Sequence, residues 1–373
     1  MTGVKVVVAP DKFKGSLSAP LVAAALTAGI RAGSPDAEVV RVPVADGGDG
    51  FLAAAVEAGY REVTVNAEGP TREPVRARYA TRDGVAVIEL AETAGLVALP
   101  GGVRKPMTAS TYGTGLVVRA ALDAGCRCIV LGIGGSASTD GGRGLLEALG
   151  ARVTRRSLTE VLSVDLASLH PALATTEVVI AADVDNPLLG ENGAAAVYGP
   201  QKGASPVQVA LLDHALSNWA DQLDAATGTD HRELPGAGAA GGVGYGLVAA
   251  LGAHLRPGID LVLDLAGFDQ ALAGAQLVVT GEGALDEQTL RGKAALGVAT
   301  RARAASVPVV AVAGKSTLSS AQLRAAGFGA AFTLTDLEPD TQLCMTRPGP
   351  LIERIGRQIS GEWLAHDRRR VMG

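Results

Sequence analysis

The chain has 373 residues, of which 47% are hydrophobic and 19% charged, so it is typical of a globular protein with one large domain or two. Its formal net charge of -5 gives no general attraction for nucleic acid or for an anionic membrane. Its three cysteines, without a second pair or a histidine cluster, argue against a disulfide framework and a zinc site. No signal-peptide layout and no bilayer-length apolar run is visible, and we therefore expect a cytoplasmic protein.

Short β-branched runs alternate with longer Ala- and Leu-rich stretches along the chain. Strands are predicted near residues 4–9, 38–42, 61–65, 75–79, 85–90, 128–131, 178–182, 277–280, 307–312 and 330–334. Helices are predicted near residues 18–32, 49–58, 114–124, 141–149, 207–223, 293–304 and 350–365. The alternation favours a parallel sheet with helices on both faces, and the close spacing between residues 61 and 90 indicates an antiparallel meander. The glycine-rich segment 227–246 is predicted to be a mobile loop.

Polar, glycine-rich loops follow several of these strands. Ligands of open α/β sheets bind at the carboxyl ends of strands, so we expect the loops to converge on one cleft. The first loop, residues 10–16, reads Pro-Asp-Lys-Phe-Lys-Gly-Ser and leads into a helix. Lys12, Lys14 and Ser16 are therefore candidates for binding phosphate. The alternative is a solvated turn with two surface lysines.

The second loop, residues 44–50, places Asp46 and Asp49 on a glycine-rich turn. Two carboxylates in such a position can hold Mg²⁺ or orient a substrate hydroxyl. We favour a functional role for Asp46. For Asp49 alone, capping of the following helix is slightly favoured.

The third loop, residues 132–142, combines consecutive glycines with Ser136, Ser138, Thr139 and Asp140. Backbone N–H groups and hydroxyls in this pattern can form a nest for phosphate. The loop also matches the dinucleotide fingerprint G-x-G-x-x-A, and arginines that could serve NADP follow it. The helix after it is short, and no acidic residue stands where the ribose partner is expected, so a dehydrogenase is the weaker interpretation.

The fourth loop follows the strand at residues 277–280. Glu282 and Asp286 are tentative ligands for a metal ion, and Gln288 and Lys293 are candidates for binding substrate or phosphate. The alternative is that these residues cap the next helix and carry surface charge.

Asp183 closes the apolar strand at residues 178–182 and is a candidate general base, although it could equally begin an Asp-Asn-Pro turn. Gly314-Lys315-Ser316 resembles the end of a Walker A motif. The earlier glycine of that motif is replaced by Val309, which excludes a P-loop ATPase. None of the five histidines stands in a Ser-His-Asp or metal-ligand pattern.

Taken together and in order, these loops resemble the bacterial glycerate kinase family of the first type. The matching segments are residues 9–16, 46–50, 134–142, 182–188, 236–242 and 280–289. Each motif alone is weak, but the ordered set spans nearly the whole chain and is specific. Residues 136–140 read Ser-Ala-Ser-Thr-Asp where relatives often carry Ser-Ala-Thr-Asn-Asp, which leaves the roles of Ser138 and Thr139 open.

The resemblance implies ATP-dependent phosphorylation of D-glycerate, usually at the 2-hydroxyl, with ATP and Mg²⁺ as cofactors. It also implies an α/β fold in which a Rossmann-like parallel-sheet domain is built from both chain ends and a second α/β domain is inserted. We expect residues 1–78 plus 277–373 to form the first domain and residues 79–276 the second, with the active site in the cleft between them. The doubly wound pattern, which lapses after Tyr79 and resumes near Leu277, agrees with this.

The resulting hypothesis assigns catalysis to Asp183, Lys14 and Asp46, with Asp183 as the base on the substrate hydroxyl. Lys12, Lys14 and Lys293 would neutralise phosphate or substrate carboxylate. We expect a monomer or homodimer with no nucleic-acid or membrane partner. Two alternatives stay open, an NADP-dependent oxidoreductase of hydroxy acids and a non-catalytic regulator that binds sugar acids.

Overall fold

The computed structural model describes residues 4–42, 44, 50–157 and 159–364, leaving aside the side chain of Arg291. Its secondary structure alternates strands with helices over most of the chain. Within these ranges, every helix is too short or too polar to traverse a lipid bilayer.

Thirteen strands are numbered in chain order over the described residues. They are β1 Lys5–Pro10, β2 Glu38–Arg41, β3 Arg61–Glu68, β4 Pro74–Arg82, β5 Val85–Glu89, β6 Cys128–Gly132, β7 Arg152–Arg155, β8 Val161–Asp165, β9 Glu177–Ala181, β10 His254–Arg256, β11 Leu277–Leu285, β12 Val309–Ser316 and β13 Ala330–Thr333.

Fifteen α-helices are numbered in the same way. They are α1 Ala19–Gly33, α2 Phe51–Glu57, α3 Ala91–Ala94, α4 Tyr112–Asp123, α5 Arg143–Ala148, α6 Ala194–Tyr198, α7 Pro206–Thr227, α8 Ala239–Leu251, α9 Gly258–Leu265, α10 Phe268–Leu272, α11 Ala294–Ala304, α12 Ser320–Ala325, α13 Leu334–Leu337, α14 Thr341–Thr346 and α15 Pro348–Ile359. A π-helical turn, Ser360–Leu364, continues α15.

The first compact unit combines the two chain ends, Met1–Asp46 and Ile259–Gly373. Its sheet has the order β13-β12-β11-β1-β2, and all four pairings are parallel. β1 is buried from Val6 onwards, as a continuous apolar run in the middle of a parallel sheet should be. Pro20 lies in the first turn of α1, where its missing N–H leaves no gap in the helix.

Two glycines bring the first and last long helices of this unit into close contact. Gly29 of α1 lies against Gly356 of α15, and a side chain at Gly29 would collide with the backbone carbonyl of Glu353. The two helices cover one buried cluster that includes Leu26 and Ile352. The N-terminal and C-terminal segments are therefore joined by a shared core.

The second unit, Gly47–Gly258, contains a mixed sheet with the order β10-β9-β6-β5-β4-β3. The pairs β3–β4 and β4–β5 are antiparallel, whereas β5–β6, β6–β9 and β9–β10 are parallel. The predicted antiparallel meander between residues 61 and 90 is thus confirmed. β7 and β8, which the strand patterns missed, form a separate antiparallel hairpin.

The prediction of a loop from residue 227 to 246 was wrong from residue 239 onwards, where α8 begins. Ala240, Gly241 and Gly242 at its start have positive φ, and regular helix follows. Tyr245 and Leu247 are buried in the core of the unit and stabilise this helix against the low helix propensity of its glycines. The predicted fold class, a parallel-sheet unit built from both chain ends with an inserted α/β unit, is confirmed.

Candidate active site

A cavity of ≈320 Å³ opens in the second unit at the carboxyl ends of β6 and β9. These strands are parallel neighbours, with Gly132 opposite Ala181, so the loops after them emerge side by side. The cavity is lined by Leu96, residues 133–136, residues 181–184, Tyr198, Gln201, Lys202, Ala239 and Ala240. Because ligands of open α/β sheets bind at this end of the strands, it is the candidate active-site cavity of the unit.

Asp183 lies two residues after β9 and lines this cavity. Its Oδ1 accepts a hydrogen bond from the backbone N–H of Gly258, 2.8 Å away. The bond orients the carboxylate at the cavity wall. Both a general base and a turn residue are compatible with this contact, so the catalytic role of Asp183 stays a prediction.

Backbone hydrogen bonds hold the loop after β6. The N–H of Leu96 donates to the carbonyl of Gly135 at 2.9 Å, and that of Ala137 donates to the carbonyl of Ala94 at 2.7 Å. Ser136, which stands between the two bonds, is thereby fixed in the cavity wall. Its position agrees with a role in binding a ligand.

Ser138 and Thr139 are buried, and neither lines this cavity. Their hydroxyl oxygens have no hydrogen-bond partner among the described residues. Thr139 lines instead a second cavity, of ≈240 Å³, in the same unit. The structure therefore separates the predicted phosphate-binding residues of this loop into two groups.

Asp140 is buried as well, and its carboxylate accepts several hydrogen bonds from protein groups. It accepts hydrogen bonds from the N–H and the hydroxyl of Thr111, each at 2.9 Å, and from the hydroxyl of Ser110 at 3.4 Å. The N–H groups of Gly142 and Gly144 donate to it at 3.3 Å. These bonds shape the loop and the start of α5. The predicted contact of Asp140 with substrate or phosphate stays a prediction.

Lys202 is a candidate functional residue that the sequence analysis missed. It is 1% exposed and lines the Asp183 cavity, and its Nζ donates to the backbone carbonyl of Ser138 at 2.5 Å. Burial lowers the pKa of Lys202 to about 7, although the charge of Asp140 opposes this. A buried ammonium with one carbonyl partner can accept an anionic ligand. Its sequence context, Gly-Pro-Gln-Lys-Gly, is typical of an exposed turn and gave no signal of burial.

In the first unit, the loop after β1 carries Lys12, Lys14 and Ser16. The N–H of Asp11 donates to the carbonyl of Gly281 at 2.8 Å, which joins this loop to β11. Lys14 is exposed and Lys12 is half-buried. The hydroxyl of Ser16 donates at 2.6 Å to a backbone carbonyl in α14. The two lysines therefore remain the candidates for anion binding on this loop.

The fourth loop brings four predicted residues together at the end of β11. Oε1 of Glu282 accepts from the hydroxyl of Thr289 at 2.7 Å, and its Oε2 lies 3.4 Å from Nζ of Lys293. Asp286 lies 3.7 Å from the same ammonium and accepts from the backbone N–H of Gln288 at 2.8 Å. Burial raises the pKa of Glu282, while Thr289 and Lys293 oppose that rise.

The carboxylates of this cluster are candidate ligands for a divalent cation. Among the residues that the structure describes, no three His, Cys, Asp or Glu side chains are grouped to hold a metal ion. Glu282 and Asp286 supply two carboxylates that converge on Lys293. Mg²⁺ commonly binds one or two carboxylates and takes its other ligands from phosphates and water, so the pair fits Mg²⁺ brought by a nucleotide. Asp46 and Asp49 lie outside the described residues.

Comparisons with known proteins agree on one family. The model of the glycerate kinase family matches residues 6–364. A glycerate kinase of Halalkalibacterium halodurans is 40% identical over 95% of this chain and 97% of its own. A glycerate 2-kinase of Escherichia coli is 40% identical over 88% of this chain and 90% of its own. A crystal structure from Salmonella typhimurium, provisionally assigned as glycerate kinase 2, superposes with a TM-score of 0.87 at 39% identity and covers 98% of this chain and 100% of its own.

The fold and these relatives define an enzyme of the kinase class, for which ATP is the expected co-substrate. The chain belongs to the glycerate kinase family. The resemblance predicted from the ordered loops is confirmed.

Proposed function

We propose that this chain transfers the γ-phosphoryl group of ATP to the 2-hydroxyl of D-glycerate, giving 2-phosphoglycerate and ADP. The observation that carries the proposal is the strand-end cavity, where Asp183 and Lys202 line a space of ≈320 Å³ within the fold of this family. It provides one carboxylate and one ammonium for an acceptor that itself carries a carboxylate and hydroxyl groups. No observation favours the oxidoreductase or the non-catalytic regulator.

In the proposed reaction, Asp183 takes the proton of the acceptor hydroxyl. The hydroxyl oxygen forms a bond to the γ-phosphorus in line with the departing bridge oxygen, whose bond to phosphorus breaks as ADP leaves. Lys202 binds the carboxylate of glycerate or a phosphate oxygen, and Ser136 donates its hydroxyl. Positive charge in a dry cavity stabilises the charge that develops on the transferred group.

In the first unit, Lys12 and Lys14 neutralise phosphate or carboxylate. Glu282 and Asp286 hold Mg²⁺ when it is present, and the ion would spread the negative charge of the phosphates. Lys293 pairs with both carboxylates in the free protein and supplies charge to phosphate when these carboxylates bind the cation. For assembly we retain the expectation of a monomer or homodimer.

The proposal is tested by coupled ADP release with D-glycerate, L-glycerate, glycerol and hydroxypyruvate as acceptors. We expect turnover with D-glycerate, much less with the others, and loss of activity in EDTA that Mg²⁺ restores. ³¹P NMR of the product should show phosphate on carbon 2. NADPH oxidation with hydroxypyruvate and no ADP release would support an oxidoreductase instead, and ligand-induced thermal stabilisation without turnover would support a regulator.

A further inference from the structure

The second cavity, of ≈240 Å³, has a wall of charged and hydroxyl groups that the proposed reaction does not use. Arg72, Arg143 and Arg155 contribute three guanidinium groups to it. Trp219 and Leu216 of α7 form an apolar side. Asp183, Lys202 and Ser136 do not line this cavity, so it is distinct from the candidate active-site cavity.

Arg143 stands on the first turn of α5, and its backbone N–H donates to the carbonyl of Asp140 at 3.0 Å. No hydrogen bond or ion pair joins its guanidinium to a residue that the structure describes. Its Nε is buried and has no acceptor. Burial lowers the pKa of Arg143, and the nearby charge of Arg155 adds to this, while Asp140 and Glu147 oppose it. Arg143 as a whole is half-buried, but its buried Nε–H has lost water and gained no acceptor among the described residues, which is costly. A ligand that supplies oxygen atoms would give this side chain the acceptor that it lacks.

Two carboxylates line the cavity, those of Asp140 and Glu147, and neither accepts a hydrogen bond from the guanidinium of Arg143. Asp140 already accepts from Thr111 and the other donors described above. Glu147 lies 3.8 Å from Arg155. Of the three guanidinium groups, Arg72 pairs with Glu68 at 2.7 Å and Arg155 with Glu147, whereas that of Arg143 has no ion pair among the described residues.

Thr139 supplies an independent second donor. It is 6% exposed, its hydroxyl has no hydrogen-bond partner among the described residues, and it lines the same cavity. A buried hydroxyl and a buried guanidinium Nε–H, both without a partner among the described residues and beside one polar cavity, are unusual in a folded protein. A single anion could accept from both.

We propose that this cavity is a binding site for a small phosphate monoester, held by Arg143, Arg155 and Thr139. Guanidinium groups bind phosphate in a bidentate manner, and a doubly charged anion balances more than one of them. Arg72 also lines the cavity, where it stacks 3.6 Å from the ring centroid of Tyr112 and pairs with Glu68 at 2.7 Å. The site does not depend on which acceptor the enzyme phosphorylates.

Trp219 allows binding here to be measured directly, because it lines the cavity and donates to the carbonyl of Gly141 at 3.0 Å. The chain has two tryptophans, and Trp363→Phe leaves Trp219 as the sole indole. In that background, Trp219 fluorescence is titrated with inorganic phosphate, 2-phosphoglycerate, 3-phosphoglycerate and acetate, without ATP. We expect a saturable change with a phosphate monoester and a much weaker one with acetate.

Arg143→Gln is the test variant, and Arg152→Gln is the matched control, since Arg152 is exposed on β7 and does not line the cavity. Arg143→Gln should weaken binding of the phosphate monoester about tenfold or more and Arg152→Gln should not change it. Without ligand, Arg143→Gln should keep or raise the melting temperature, because it removes a buried N–H donor that has no acceptor among the described residues. A purely structural arginine would instead lower it.

Two results overturn the proposal. These are the absence of a saturable fluorescence change and a change that survives Arg143→Gln. If the surviving change is lost in Lys202→Met, the anion lies in the other cavity. Because binding is measured without turnover, failure of this site leaves the proposed kinase reaction standing. Failure of the kinase assay likewise leaves the binding result intact.

Discussion

The polar residues at the strand ends of the two units differ in how they are satisfied. In the first unit, Lys293 pairs with Glu282 and Asp286, and Thr289 bonds to Glu282. In the second unit, several buried polar groups have one hydrogen-bond partner or none among the described residues. Lys202 has one carbonyl, and Ser138, Thr139 and the Nε of Arg143 have no partner among the described residues.

In the first unit, the polar groups are therefore satisfied by the free protein. In the second unit, a bound ligand would supply the missing hydrogen-bond partners. Paired and partly exposed groups add little to stability in either direction. Unpaired buried groups destabilise the free protein, and such sites persist in proteins where binding or catalysis requires them. The second unit therefore has most to gain from ligands, and substitutions there should separate activity from stability most clearly.

Asp183→Asn should have the largest effect. Removing a general base lowers the rate of proton transfer, and we expect kcat to fall about a thousandfold with the melting temperature nearly unchanged. Steady-state ADP release with D-glycerate measures this. Glu191→Gln, which removes an exposed carboxylate from the same unit, is the control. A kcat near that of the unchanged enzyme means that Asp183 is only a turn residue.

Lys202→Met should lower kcat/KM about a hundredfold, since it removes the buried cation of the cavity. It should also change how stability depends on pH. The pKa of Lys202 is about 7 in the folded protein and 10.5 ordinarily, so the unfolded chain binds more protons between these values. Its contribution to stability therefore rises with pH across that window and is least favourable below pH 7.

Thermal unfolding between pH 6 and 10 tests this second effect, with Lys105→Met as the control because Lys105 is exposed in the same unit. The Lys202 variant should show a flatter stability profile than the control. Identical profiles for both variants mean that folding does not lower the pKa of Lys202.

Lys14→Ala should have a moderate effect on affinity and none on folding. Lys14 is exposed, so its loss leaves the core untouched, whereas a missing charge on phosphate or carboxylate weakens binding about tenfold. The KM values for ATP and for D-glycerate report which ligand it contacts. Arg31→Ala removes an exposed charge from α1 for comparison. Unchanged KM values for both substrates would make the lysine loop a surface turn.

The smallest effects should come from helix caps, which occur in both units. Ser205 caps α7 and Ser319 caps α12, each in a reciprocal capping box with a glutamine. Replacing either serine by alanine should lower the unfolding free energy by about 1 kcal/mol and leave kcat/KM unchanged. Urea unfolding and the activity assay together check this. A loss of activity in one variant only would show that its unit lies closer to the limit of stability.

Sequence patterns predicted the elements well where local chemistry decides them. The apolar run of β1, the Ser18-Pro20 start of α1 and the meander of β3 to β5 all follow from residue type and spacing. The position of the division between the units could not be inferred in the same way, because alternation predicts a strand without showing which sheet it joins. α8 was missed for a related reason, since the burial of Tyr245 depends on partners distant in sequence.

The sequence predicted which loops form the candidate site, but it did not predict the long-range contacts that their residues make. Asp183 and Ser136 could be located because they follow apolar strands directly, and the structure places both at one cavity. Lys202 stands among turn residues, and the carbonyl that its ammonium contacts belongs to Ser138, 64 residues away in the sequence. The glycines of the loop that contains Asp140 predicted a ligand site. The sequence did not show that the carboxylate of Asp140 accepts hydrogen bonds from Thr111, which is distant in the chain.

The close backbone contact between two glycine-rich turns limits how the enzyme can evolve. The N–H of Gly141 donates to the carbonyl of Gly241 at 3.0 Å, and Gly241, at φ 70°, has no room for a side chain against the carbonyl of Ser138. Substitutions on this side of the second unit are therefore poor routes to a new acceptor. Changes of substrate range should accumulate instead at Leu96 and Gln201, which line the cavity and already carry side chains.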